Sequence, residues 1–370
     1  MKLAILQENL QKALTTASRF ASARAQLPIL GNILFSAHKA SIDICSTNLE
    51  ISVAIKVGAK VEEDGKISVP SRVISELVAN LPKETLTLEV KKEQMKIDSK
   101  GFSSTVLGMD PSDFPKIPNS IDREKSLNVS RNELVEALSN VLFAASVDET
   151  RPVLTGVLFI TESGAIALVA TDGFRLSQKK IKVAGVKAGQ KIVLPKLVLS
   201  EIGRVEGEEN IFLELNQKEK QAVFGVGDTI LASRLLEGEY PDFEKIIPKK
   251  SEIQVLLDKE EFLRAVKLAS VFARDAANIV KLKISKDGVK ISAESGASGS
   301  QETEVEAKIE GSTQGGFEIA FNYRFLEEFA NSVKGEEIKI EFSEVDKPGV
   351  FTDTSDSSYL HLIMPVKIQS

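Results

Sequence analysis

The residue types that carry most protein catalysis are thinly supplied in this chain of 370 residues. There is one cysteine, Cys45, and there are two histidines, His38 and His361. A Cys-His nucleophilic pair would have to be assembled by long-range contact alone. A zinc or transition-metal site needs several nitrogen or sulfur ligands, and the sequence offers neither HExxH nor CxxC. No GxxxxGK[ST] loop is present to cradle phosphates. The nearest glycine-rich string, Gly225-Val226-Gly227-Asp228, lacks a third glycine and has apolar neighbours, which predicts a strand. With 53 acidic residues, a carboxylate pair for acid-base work remains open, but no nucleophile-and-base arrangement is recognisable. The reading is a non-enzyme with no catalytic residue, no cofactor and no metal.

Elements that would position any site must come from the rest of the composition. Apolar residues make up 42% and charged residues 27%, enough for two or three domains with a core each. No apolar run approaches 18 residues, and the N-terminal MKLAILQENLQKAL carries a charge every few positions. A membrane span and a secretory signal are therefore not expected. A lone cysteine suits a reducing, cytoplasmic setting.

Internal repetition organises the chain. Residues 27–35, LPILGNILF, return as RPVLTGVLF at 151–159, with Pro28 and Pro152, Leu30 and Leu154, Leu34 and Leu158, and Phe35 and Phe159 all 124 apart. The same offset carries Thr47-Asn48 onto Thr171-Asp172, and Leu10, Ala13, Leu14 and Ala17 onto Leu134, Ala137, Leu138 and Val141. The latter positions form one face of a helix. Phe262, Ala265, Val266 and Ala269 give a third copy of that stripe. Ser130-x-x-Glu133 and Asp258-x-x-Glu261 mark helix starts. KLKIS-KDG-VKIS predicts a hairpin around Asp287-Gly288. A second helix opens at Pro70, Pro195 and Asn322, and six residues on stand Glu76, Glu201 and Glu328. Helix, strands, helix, strands, three times, is an α+β array of antiparallel sheets with two helices per copy. Domains are expected at 1–120, 128–250 and 254–370, with linkers near 119–128 and 249–257. Sheets of this kind can join edge to edge, and a two-fold dimer would remove the two edges left over.

LPILGN (27–32), VPSR (69–72), TRPVLTGVLF (150–159), ATDGFRL (170–176), EYPDF (239–243) and the terminal YLHLIMPVKI (359–368), in this order, resemble the bacterial DNA polymerase III beta subunit, the replicative sliding clamp family. The resemblance covers essentially the whole chain. It implies the DNA-clamp fold, in which three similar domains form half of a closed ring and a head-to-tail homodimer encircles duplex DNA. It implies a non-catalytic processivity factor whose partners are replicative and other DNA polymerases and the clamp loader.

A net charge of −6 looks wrong for a DNA partner, yet distant surface charges are screened beyond about 8 Å at physiological salt. Only the local lining then matters. Arg24 and Arg72 match family positions associated with DNA; Lys12, Arg19, Lys196, Arg264, Lys267 and Arg274 are further candidates on the helices. Mobile cations on phosphates give the sequence-independent, salt-sensitive attraction that a sliding tether needs. Asp148, Pro152 and Val153 stand where family members often present polar or aromatic residues to DNA. A pocket for partner peptides is implied at Leu154, Thr171, Gly173, Phe174, Arg175 and Leu176, with Pro241, Lys245 and Ile246, and with Leu362, Ile363, Met364, Pro365 and Val366. Each buried Leu or Phe anchor contributes roughly 1.5–3 kcal/mol, so two anchors suggest exchangeable binding. Val271 and Phe272, facing Val106, are the implied dimer contacts. Two rival readings stand beside this one: a monomeric peptide-binding scaffold that encircles nothing, and a hydrolase built on a carboxylate pair.

Overall fold

Alternating strands and short amphipathic helices recur along the whole chain. The structure, a computed structural model, describes residues 1–22, 27–205, 207–216, 219–312 and 316–367. The helices among them are α1 (Gln7–Ala17), α2 (Ser71–Ala79), α3 (Arg131–Val141), α4 (Lys196–Arg204), α5 (Lys259–Ala273) and α6 (Tyr323–Ser332). That is two per copy, as the stripes predict. In α1 the buried residues include Leu10, Ala13, Leu14 and Ala17, and in α5 they include Phe262, Ala265, Val266 and Ala269. Asp258 caps α5 by accepting from the Glu261 amide at 2.8 Å, and Asn322 caps α6 through the Arg324 amide at 3.0 Å. Pro70 does not enter its helix: it ends strand Gly65–Pro70 with ψ 121°, and α2 begins one residue later.

By contacts the chain divides into two compact units. One holds residues 1–132 and 197–235; the other holds 133–196 and 236–370. The first unit contains a five-stranded and an eight-stranded sheet, the second a nine-stranded and a four-stranded sheet, and the strand pairs described are antiparallel. The expected hairpin runs Ile279–Ser285 into Gly288–Ser295, with Ser285 opposite Gly288, so its turn is Lys286-Asp287. The glycine string at 225–228 ends strand Gln221–Val226, as its apolar flanks imply. The second linker is shorter than its composition suggests, because Ile253–Asp258 alternates apolar and polar residues and becomes a strand.

Two strand pairings cross from one copy to the next. In the first unit, strand Ile51–Gly58 pairs with Thr229–Arg234, Ala54 opposite Ile230. In the second, Arg175–Lys182 pairs with Asp356–Ile363, Gln178 opposite Leu360. Each follows a parallel route inside its copies. Leu34, Cys45 and Ala54 are successive cross-strand neighbours, and so are Leu158, Val169 and Gln178. The third copy runs Lys281, Ser292, Glu302, and its strand Gly299–Val305 stands at the end of its sheet. Strand Phe102–Leu107 of the first copy likewise ends the five-stranded sheet. The repeat therefore makes the same edge-to-edge junction twice and leaves one more edge of each kind.

Candidate functional site

An enclosed apolar hollow grows from a repeated turn. Thr171 donates through Oγ1 to the Arg175 carbonyl at 2.5 Å, and the Phe174 and Arg175 amides donate to Asp172 Oδ1 at 2.8 and 3.0 Å. In the first copy Thr47 donates to the Ile51 carbonyl at 2.8 Å, and the Glu50 and Ile51 amides donate to Asn48 Oδ1 at 3.0 and 2.9 Å. The Thr-Asn/Asp repeat is thus one Asx turn used twice. Gly173 carries φ +94° in this turn, and a Cβ there would stand 3.3 Å from Arg151 Nη1.

A cavity of about 240 Å³ opens beside this turn. Leu154, Thr171, Gly173, Arg175, Leu176, Pro241, Ile246, Leu362 and Met364 line it, all named from the sequence. Its floor is buried, Leu176 being 0% and Leu362 1% exposed. Tyr240 packs against the apolar cluster that includes Leu176 and Leu362, its hydroxyl donating to the Val169 carbonyl at 3.3 Å, and burial pushes its phenol up. Sequence reasoning missed Arg151, Asp242 and Phe243, which also line the cavity. Arg151 and Asp242 lay inside or beside quoted motifs, and Phe243 repeats the Asp-Phe of residues 113–114.

Five expected pocket residues lie elsewhere. Ile363 is fully buried in the helix-side core, because strand alternation sends it opposite to Leu362. Phe174 is 63% exposed at the mouth. Lys245 is exposed and paired with Asp242 at 2.8 Å. Pro365 and Val366 are half-buried outside the lining, the Val366 amide donating to the Ala320 carbonyl at 2.8 Å.

Arg175 is part of the wall, with its guanidinium turned away into protein. Its Nε donates to Asp172 Oδ2 at 3.1 Å, its Nη2 donates to the Phe143 carbonyl at 2.6 Å, and its Nη1 pairs with Glu328. The group also lies 4.4 Å from the Phe325 ring centre. Behind it, His361 is wholly buried between Phe143 and Phe329, its Nδ1 2.6 Å from Ser177 Oγ. Cys45 is buried, and its thiol is pushed up to about 12 by burial.

Cations expected to face DNA are spread over both units. In the first, Lys12 and Arg19 line an open groove of about 720 Å³ together with Lys56, Lys83 and Arg204. Arg19 Nε donates to Glu201 at 2.5 Å, and Arg204 pairs with the same carboxylate at 2.8 Å. Glu201 itself is 1% exposed, so one buried anion holds two surface guanidiniums. Arg72 is exposed and paired with Glu76 at 2.8 Å. In the second unit Arg264, Lys267 and Arg274 are exposed, while burial pulls the Lys196 ammonium down. Arg24 lies outside the described residues.

Of the expected dimer contacts, Val271 is 57% exposed and Phe272 packs in part against its own core. Val106 is the exception: at 5% exposure it points inward on strand Phe102–Leu107, and the apolar residue presented outward is its neighbour Leu107, at 66%. The period of two decides between them.

Residues 1–118, 128–242 and 244–367 match the N-terminal, central and C-terminal domain descriptions of the DNA polymerase III beta subunit. A beta sliding clamp of Staphylococcus aureus is 29% identical over 357 aligned positions, covering 94% of each chain. One of Staphylococcus epidermidis is 28% identical, covering 99% of each. The crystal structure of a DNA polymerase sliding clamp from Bacillus subtilis superposes with a TM-score of 0.94 at 27% identity, over the full length of both chains. That of a DNA polymerase III beta subunit from Thermotoga maritima gives 0.91 at 26%, again over both full lengths.

Proposed function

The chain belongs to the bacterial DNA polymerase III beta subunit family, and from that premise we propose that it closes as a head-to-tail homodimer around duplex DNA and tethers polymerases to it. It is a processivity factor, a non-catalytic subunit of the replication machinery. Partners in this reading are the replicative and other DNA polymerases and the clamp loader, which take turns through the 240 Å³ hollow. Leucine or phenylalanine side chains from a flexible segment suit its apolar floor.

One observation carries the ring: the edge-to-edge junction made twice within the chain, with Phe102–Leu107 and Gly299–Val305 left at sheet ends. A second copy supplies the missing partner to each, which satisfies both rows of backbone groups. DNA attraction comes from the exposed cations of the helices and does not read bases. The decisive experiment loads the protein on nicked circular DNA and on the same DNA linearised. Retention on the circle through about 0.5 M salt, with loss from the linear form, is expected, because phosphate contacts alone weaken steeply with salt. Equal loss from both forms would leave the monomeric scaffold as the better reading, and a single-protomer mass by light scattering at micromolar concentration would say the same.

A further inference from the structure

The glutamate that recurs in the second helix of each copy has the same task twice. Glu201, on α4 of the middle copy, accepts from Arg19 of the first copy. Glu328, on α6 of the third copy, pairs with Arg175 of the middle copy. Both ion pairs meet the preceding copy at the end of its first helix. Arg19 follows α1 by two residues, and the Arg175 guanidinium is held there by the Phe143 carbonyl, just beyond α3. At that end the helix dipole favours a cation.

The remaining member of the set is Glu76, on α2 of the first copy. Its side chain is 65% exposed, against 1% for Glu201 and 44% for Glu328, and its partner is the still more exposed Arg72 four residues back. Among the described residues, no residue of another copy pairs with Glu76. In the third copy α5 runs four residues past its last stripe residue, Ala269, so the end of its first helix lies one turn further on, with Arg274 as the cap residue. Arg274 is exposed and makes no ion pair among the described residues. We propose that Glu76 of one protomer pairs with Arg274 of a second copy, a charge staple between protomers that repeats the two staples inside the chain.

The staple rests on the dimeric reading and refines it. It gives Arg274 a partner in protein rather than in DNA. It also tells the protomer which face to offer: an acid at the start of the chain must meet a base near its end, which suits head-to-tail closure and opposes head-to-head pairing.

The test is a charge swap read by light scattering and sedimentation. Glu76→Lys and Arg274→Glu should each raise the dimer dissociation constant about tenfold, and the double variant should return to within about threefold of the parent. Both side chains are exposed in the protomer, so melting temperature and circular dichroism should hold in all three. Glu76→Gln, a smaller change, should weaken association less than Glu76→Lys. If the parent dimerises and the double variant fails to recover, the staple is wrong while the ring survives. If Arg274→Glu weakens DNA retention and leaves the dimer intact, Arg274 faces DNA and the staple is likewise wrong. A parent that is monomeric would instead remove the ring.

Discussion

At the scale of single residues, burial decides which chemistry is left. His361 shows it most plainly. Burial holds its imidazole down at about 3, and the nearby Arg175 guanidinium adds to the effect. The folded protein therefore keeps His361 neutral where the unfolded chain takes up a proton near pH 6.5. Its contribution to stability is complete above that value and is lost as pH falls from about 6.5 toward about 3, at up to roughly 1.4 kcal/mol per pH unit. His361→Phe, which fits between Phe143 and Phe329, should lower this slope relative to the parent in urea titrations at pH 5 and 7.5. An unchanged slope would assign the acid sensitivity to carboxylates instead. Met364, 37% exposed at the hollow, offers a test without a folding cost. Met364→Asp should weaken a fluorescent peptide with Leu and Phe anchors at least about tenfold, since a carboxylate there must lose water when the anchor enters. The melting temperature should stay within about 2 °C.

Elements carry the repeat, and the repeat carries a register. The amides of Met109, Leu236 and Val366 donate to the carbonyls of Ser68, Val193 and Ala320, which fixes three equivalent positions. Ile230 lies six residues before Leu236 and faces Ala54; Leu360 lies six before Val366 and faces Gln178. In the proposed dimer the same rule should set Ser103, six before Met109, opposite Glu302 of the second copy, and Thr105 opposite Ser300. The faces agree, because Ser103, Thr105, Ser300 and Glu302 are all exposed while Val106 and Val305 point inward. Thr105→Cys combined with Ser300→Cys should cross-link two protomers on mild oxidation, at the Cβ separation a disulfide needs. Ser103→Cys with Ser300→Cys, two residues out of register, should not, and the reverse result would shift the junction. Caps act on a smaller scale: Asp258→Ala removes an N-cap bond from α5 and should cost about 1 kcal/mol in denaturant unfolding.

For the molecule as a whole, closure matters more than any contact. In the proposed ring a net charge of −6 is compatible with DNA attraction, because screening would leave only nearby cations in view, such as Lys12, Arg19, Lys56 and Arg204 around one groove. In the closed ring proposed above, loss from DNA requires a junction to open. The cysteine pair at positions 105 and 300 separates the two steps. Oxidised before loading, the protein should be barred from circular DNA. Oxidised after loading, it should stay on the circle through detergent that unfolds an unlinked clamp. Capture of circular DNA by the pre-oxidised protein would mean that the bond does not close a ring.

Much of this was legible in the residues. The spacing of Leu10, Ala13, Leu14 and Ala17 and its two echoes placed the first helix of every copy, since a stripe at 3.6 residues has one physical solution. The repeat of Thr47-Asn48 at Thr171-Asp172 was visible as a repeat, and the structure shows what it encodes, an Asx turn in which the side chain bonds the amides that follow it. Periodicity could not say which of two neighbours faces a site: Ile363 is expected at the pocket together with Leu362, and Val106 at the dimer edge in place of Leu107, yet one step along a strand reverses the answer. Nor could the chain order announce that Arg151 would join the hollow, that Arg175 would turn its charge inward to Glu328, or that Glu201 would bury itself between Arg19 and Arg204. The Arg175–Glu328 and Arg19–Glu201 pairs join residues 153 and 182 positions apart, and contact at such range exists only once the sheets have formed.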